Sequence, residues 1–230
     1  MTAQQTLNEK MLNYYLESGL PEELFEIVTN SIIEGQKSSV KGLAIGNTAP
    51  DFVLPDIEGN LIHLYEYLRQ GPVVLNFFRG SWCAFCSNEF SFLKQHLAEF
   101  EELGSQLIGI HPQDLEISPE FRDKFNATFP IVSDAEQQVI STYDLRFELT
   151  PELIALYRDT FQVDLEKLNA NNMWTLPVPA TFVVDTDRTI KARHFSHDYM
   201  VRMEPQDIIS AIKHLPNLSE EKNYSAVYKS

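Results

Sequence analysis

The sequence is short of cysteine, of positive charge and of long apolar runs. It holds two cysteines in 230 residues, so no disulfide framework supports it, and a structural zinc site, which takes four protein ligands, has no second cysteine pair to draw on. Lysine and arginine number 18 against 33 aspartates and glutamates, a formal net charge of -15. Such an acidic chain repels phosphate backbones and anionic membrane faces, which argues against nucleic acid and membranes as partners. No apolar stretch approaches the length that crosses a bilayer. Met1-Thr2-Ala3-Gln4-Gln5-Thr6 offers neither a basic start nor an apolar signal core, so a cytoplasmic location is expected. What the chain does have is core material: 43% of it is hydrophobic, and a chain of this length can bury roughly 70% of its unfolded surface.

Cys83 and Cys86 are the most informative residues. They stand in Phe77-Phe78-Arg79-Gly80-Ser81-Trp82-Cys83-Ala84-Phe85-Cys86, after the near-continuous apolar run Pro72 to Phe78 and before an amphipathic segment. A run of that kind reads as a strand buried on both faces. The segment after it, with Phe90, Leu93, Leu97 and Phe100 at helical spacing, reads as a helix ending near Gly104. A helix start leaves backbone N–H groups unpaired and carries partial positive charge, so a thiol there is stabilised as thiolate, the form that attacks disulfides and peroxides. Two thiols one turn apart can close a small disulfide ring. In a reducing compartment such a pair is catalytic rather than structural.

The rest of the chain alternates. Leu7, Met11, Leu12, Tyr15 and Leu16, and then Leu24, Phe25, Val28, Ile32 and Ile33, mark two helices broken at Gly19-Leu20-Pro21; they form an arm over residues 1–40 whose apolar face is read as a docking surface, with a homodimer expected. Residues 37–46, with Ser38, Ser39, Gly42 and Gly46, read as a hinge. Asp51 to Leu54 and Leu61 to Leu64 read as a hairpin around Glu58-Gly59-Asn60. Gln106 to Ile110 and Ile131-Val132 read as strands, and Gln137 to Tyr143 as a helix. Ser118-Pro119-Glu120 and Thr150-Pro151-Glu152 each combine an N-cap, a first-turn proline and an acid, so both read as helix starts. Arg146 to Trp174 reads as a mostly helical insertion, in whose own small core Trp174 and Phe147 are expected to sit. A hairpin about Asp185-Thr186-Asp187-Arg188, a helix from Glu204 to Leu215 and a frayed tail over 216–230 complete the pattern. His194 and His197 with Asp198 read as solvated residues rather than a metal cluster.

Three segments carry a family resemblance over roughly residues 44–215. Gly46-Asn47-Thr48-Ala49-Pro50-Asp51-Phe52, Trp82-Cys83-Ala84-Phe85-Cys86 and Pro177-Val178-Pro179-Ala180-Thr181-Phe182-Val183-Val184-Asp185 resemble, in that order, the peroxiredoxin-like branch of the AhpC/TSA and redoxin proteins in the thioredoxin superfamily. The resemblance implies an α/β chain with the thioredoxin fold: a central mixed sheet flanked by helices, here with an N-terminal helical extension and a helical insertion before the last hairpin. It also implies that Pro179 is the cis-proline beside the cysteine pair and that Val178 faces the substrate.

The motif departs from both branches of the superfamily. Placing the peroxidatic cysteine of the peroxiredoxin pattern on Cys86 puts Arg79 at its proline and Cys83 at its hydroxyl position, and Pro179 falls where a peroxide-binding arginine is expected. Trp82 and Cys83 match the thioredoxin-type reductases instead, yet Asn76 stands where those carry a titrating acid. Glu89 is similar to a family glutamate that orders the site, and Arg79 is placed to favour a thiolate. The function implied is a peroxiredoxin-like thiol peroxidase, acting on hydrogen peroxide or alkyl hydroperoxides through a Cys83–Cys86 dithiol/disulfide cycle. Its partners would be a hydroperoxide and an external dithiol from a thioredoxin or glutathione system, with no cofactor needed. The alternatives are a thiol-disulfide oxidoreductase acting on protein disulfides, and a copper- or partner-binding module. Cys83 by thioredoxin analogy, or Cys86 by peroxiredoxin alignment, is the nucleophile, with Cys83 preferred.

Overall fold

A computed structural model describes residues 5–116, 128–169 and 171–216. The Ser118-Pro119-Glu120 helix start and the tail from residue 217 lie outside the described residues. Helix α1 (Leu7–Glu17) begins at Thr6, whose side chain accepts from Glu9 N–H while the Glu9 carboxylate takes the Thr6 N–H, a reciprocal cap that satisfies two end donors. Helix α2 (Glu22–Lys37) follows the break at Gly19-Leu20-Pro21. Val53–Pro55 (β1) and Leu61–His63 (β2) pair antiparallel across the Asp56–Asn60 turn, and α3 (Leu64–Leu68) leads to β3 (Val73–Phe77).

Every residue of β3 is buried. Strand periodicity sends Val73, Leu75 and Phe77 to one core and Val74 and Phe78 to the other. Beyond it, α4 (Ala84–Gln95) and α5 (Leu97–Glu102) replace the single helix read over Phe90 to Phe100: His96 leaves helical geometry at φ -111, ψ 5, and the chain restarts from there. Strand β4 (Gln106–His111) then lies parallel to β3, and β5 (Ile131–Ser133) parallel to β4. After α6 (Gln138–Thr142) come β6 (Arg146–Glu148), α7 (Pro151–Ala155) capped by Thr150, a π-helical turn at Leu156–Thr160, α8 (Leu165–Asn169) and β7 (Thr175–Pro177). The insertion is therefore not purely helical, because β6 and β7 close its ends as an antiparallel pair.

Strands β8 (Ala180–Val184) and β9 (Ile190–Phe195) finish a five-stranded sheet of order β5-β4-β3-β8-β9, and α9 (Pro205–Lys213) covers one face. Because β8 runs antiparallel to β3 while β4 runs parallel to it, the sheet is mixed, as the thioredoxin fold requires. Among the described residues no helix is long and apolar enough to cross a membrane.

The arm is docked on its own chain. Glu204 accepts from the N–H groups of Leu7 and Asn8 at 2.9 and 2.8 Å, placing a carboxylate at the positive end of α1. The Asn8 amide bridges the backbone of Arg202, donating to its carbonyl at 2.9 Å and accepting from its N–H at 2.8 Å. Leu24, Val28 and Ile32 of α2 join Leu149, Leu153 and Tyr157 of the insertion in a third core. Part of the apolar face read as a dimer surface is thus consumed within the chain, and Leu12, Leu16, Phe25 and Ile33 remain exposed. Residues 37–46 are pinned rather than hinged: Gly42 and Leu43 donate to the carbonyls of Asp144 and Tyr143, and Arg193 donates to three carbonyls over 41–43.

Met11 is 1% exposed and its neighbour Leu12 55%. Met11→Ala should therefore cost about 2–5 kcal/mol of unfolding free energy in a urea titration, and Leu12→Ala no more than about 0.5 kcal/mol. Equal small losses would mean that α1 does not pack on the domain.

Candidate active site

The turn after β3 is shaped by Gly80. Its φ of +148 lies in a region side chains avoid, and a Cβ there would meet Gln113 Oε1 and Trp82 Nε1 at 2.5 Å. Gln113 fixes the next residue by accepting the Ser81 N–H, and Ser133 Oγ donates to the Gln113 carbonyl at 2.7 Å. The Cys83 N–H closes the turn on Gly80 O at 3.2 Å. Cys83 then serves as the N-cap of α4, its backbone extended at φ -83, ψ 109 and its carbonyl accepting from Ser87. Its thiol thus sits at the helix start, and Cys86 lies one turn in.

Both thiols are free and buried, yet they differ in access. Cys83 lines a cavity of about 320 Å³ walled by Tyr14 and Tyr15 of α1, Tyr157 and Phe161 of the insertion, and Trp82. Cys86 is absent from that lining and is 0% exposed. They also differ in acidity. Burial pushes the Cys83 thiol up, but a hydrogen bond from Cys86 and the guanidinium groups of Arg79 and Arg202 together outweigh it and lower Cys83 to about 6. Burial and the adjacent Cys83 drive Cys86 well above its ordinary value.

Behind Cys86 lies a charged pair. Arg202 and Glu89, 2% and 1% exposed, form an ion pair, and Arg202 Nη2 lies 3.7 Å from Cys86 Sγ. Asn76, which β3 turns toward α4, donates to Glu89 Oε1 at 2.9 Å and to Thr181 Oγ1 at 3.1 Å. Asn76 itself cannot titrate, and the carboxyl it binds, that of Glu89, is pushed up by burial against the opposing pull of Arg202. Arg202 carried no local signal in the sequence; neither did Tyr199, whose ring stacks over Arg79 with the guanidinium carbon 4.3 Å from its centroid.

Arg79 is buried, 4% exposed, beside Cys83. Val178 and Pro179 are not in the Cys83 cavity. They line a separate space of about 40 Å³ that Arg79 also borders. Pro179 is not cis: the described residues contain no cis peptide bond. The Val178 amide is already spent on the Leu145 carbonyl at 2.8 Å, which ties the end of β7 to the segment before β6 and leaves that amide closed to a substrate. Trp174 and Phe147 pack against the third core, and His194 and His197 each face a backbone carbonyl, of Val201 and Val40, so neither is simply solvated.

The profile of the AhpC/TSA family matches residues 45–193. The chain is similar to the thiol-disulfide oxidoreductase ResA of Geobacillus kaustophilus, 35% identical over 122 residues, which are 53% of this chain and 66% of that protein. To the ResA of Geobacillus thermodenitrificans it is 36% identical over 102 residues, 44% and 58% of the two chains. The chain thus spans less than two thirds of the length of these relatives. Among solved structures, peroxidoxin BcpB from Mycobacterium tuberculosis superposes with a TM-score of 0.58 at 23% identity, over 74% of this chain and 97% of that one, a likeness of fold.

Alkylation of the reduced protein by a haloacetamide should modify Cys83 before Cys86. Its rate should rise with pH through a midpoint near 6, the thiolate being the reactive form above it. Peptide mapping that found Cys86 labelled first, or a midpoint near that of a free cysteine, would contradict this assignment.

Proposed function

The chain belongs to the AhpC/TSA family and has the thioredoxin fold, and on that premise we propose that it is an oxidoreductase that catalyses thiol-disulfide exchange with Cys83 as nucleophile and Cys86 as resolving thiol. The observation that carries this reading is the asymmetry of the pair: the acidic thiol opens on a cavity and the other is sealed behind it. The Cys83 thiolate attacks one sulfur of a disulfide, expels the other as a thiolate and forms a mixed disulfide. Cys86 gives up its proton and attacks Cys83 Sγ, which releases the second substrate thiolate and leaves a Cys83–Cys86 disulfide. Two electrons have passed to the substrate, and an external dithiol from a thioredoxin or glutathione system returns them. Glu89, lifted by burial and electrostatically coupled to Cys86, is the group suited to receive the proton.

The name shared by the matched relatives supports disulfide exchange over the peroxidase reading that the motif resemblance favours. Peroxide reduction is kept as the second reading, because the Cys83 cavity is walled by the arm and suits a small oxidant. There the thiolate takes one peroxide oxygen to become a sulfenic acid, the alcohol or water leaves, and Cys86 condenses with loss of water. A cytoplasmic setting, where reductants keep the dithiol reduced, and a homodimer through the exposed Leu12, Leu16 and Phe25, belong to the same proposal.

Rate constants of the reduced protein with hydroxyethyl disulfide and with hydrogen peroxide, each divided by that of free cysteine thiolate, test the choice. The acceleration should be greater for the disulfide, with two thiols lost per chain and no covalent dimer on a non-reducing gel. A larger acceleration for peroxide would make the protein a peroxidase. Cys86→Ser should trap the mixed disulfide on Cys83, Cys83→Ser should abolish reaction, and sedimentation of the full chain reads the dimer.

A further inference from the structure

Arg79 and Arg202 are buried to the same degree, 4% and 3% exposed, but their surroundings differ. Arg202 has the Glu89 carboxylate, the Tyr199 carbonyl and Cys86 Sγ around its donors. Arg79 has aromatic rings: its guanidinium carbon lies 4.3 Å from the centroid of Tyr199, 4.9 Å from Trp82 and 5.3 Å from Tyr157. Its Nε has no hydrogen-bond partner, and no carboxylate pairs with it among the described residues. Ring faces attract a cation but accept little from its in-plane N–H groups, so the donor edge of a desolvated guanidinium is left without an acceptor. A planar oxyanion matches such an edge with paired hydrogen bonds.

Arg79 lines the same cavity as Cys83. The chain carries a net charge of -15, yet no aspartate or glutamate lines this cavity, and Arg79 is its one charged side chain apart from the thiol itself. Leu20, Phe85, Phe161 and Val163 give the wall an apolar part, and Ser18 with the rings of Tyr14 and Tyr157 adds neutral polar groups to it. We propose that Arg79 is a specificity residue: the Cys83 site takes small disulfides with an aromatic or apolar body and a carboxylate, the carboxylate held on Arg79 while a substrate sulfur meets Cys83 Sγ. This rests on the reading of Cys83 as the nucleophile of disulfide exchange. The covalent step is that exchange, with one S–S bond formed for each broken and an aryl thiolate released at each of the two attacks.

Arg79 also favours the Cys83 thiolate, so a change in rate alone would not separate binding from activation. A ratio does. The reduced protein is mixed in single turnover with dithiobis(nitrobenzoate), which carries a carboxylate on each ring, and with neutral dithiodipyridine, each rate being divided by that of N-acetylcysteine at the same pH and salt. The normalised rate for the carboxylate probe should exceed that for the neutral one by about tenfold, the scale of one well-placed charge-assisted contact. Arg79→Met should erase the preference and Arg79→Lys should retain part of it. A parallel fall with both probes, leaving the ratio unchanged, would reduce Arg79 to an activator of the thiol and overturn the proposal. Should Arg79→Met not fold, benzoate serves on the unaltered protein: saturable slowing of the dithiodipyridine reaction is expected, and no slowing overturns the proposal. If dithiodipyridine fails to react at Cys83, the exchange reading itself falls, an outcome distinct from a ratio of one with a fast neutral reaction.

Discussion

The buried ion pair between Arg202 and Glu89 is the contact on which the rest of the site hangs. Two full charges at 2% and 1% exposure are tolerable only together, because removing either leaves the other stranded at a cost of about 3–5 kcal/mol. Each partner is tied to a different part of the chain. Glu89 sits on α4 one turn past Cys86 and takes the Asn76 amide from β3, while Arg202 stands between β9 and α9 and reaches Cys86. Its backbone is bridged by Asn8, so the arm is fixed to the peptide that carries the arginine. A helix 194 residues away in sequence thereby becomes a wall of the thiol cavity.

The same charges divide the labour between the thiols. Two adjacent sulfurs in a desolvated space cannot both ionise, so the first proton leaves easily and the second is held, and the pair titrates as a unit. Arg79 stands with Cys83 at the cavity, and Arg202 lies behind Cys86 with part of its charge neutralised by Glu89. The result is an asymmetry: the acidic thiol borders the cavity, and the one held protonated lies behind it near a carboxyl of raised pKa. Asn76 in the strand orients Glu89 on the helix through the amide N–H it donates to the carboxylate.

What the sequence disclosed was local. Strand β3 was legible because six apolar residues in a run of seven, Pro72 to Phe78, admit little else, α1, α2 and α7 because breaks and caps flank them, and the Cys83–Cys86 helix start because strand, turn and amphipathic run adjoin. The groups that decide the chemistry came from a distance. Arg202 meets Glu89 across 113 residues and Cys86 across 116, and no spacing in the sequence encodes either meeting. Strands β6 and β7 escaped because each has three residues and they sit at the two ends of the insertion. The Pro179 reading failed because a motif fixes residue order but not peptide geometry or which amides are already paired.

Catalytic groups and access come from different layers of the chain. The sheet and α4 supply the thiols, Glu89 and Asn76, and the fold as a whole resembles that of a peroxidoxin over 74% of the chain. The arm and the insertion supply the walls, and they share one core, in which Leu24 and Val28 meet Leu153 and Tyr157. Moving α2 off the insertion exposes apolar surface on both, at roughly 25 cal/mol per Å². The α2 half of the arm is thus held to the insertion, while Tyr14 and Tyr15 of α1 stand with Tyr157 and Phe161 around the Cys83 cavity. On the proposal made for Arg79, selection by shape at the walls and by charge at Arg79 would act before the thiol chemistry begins.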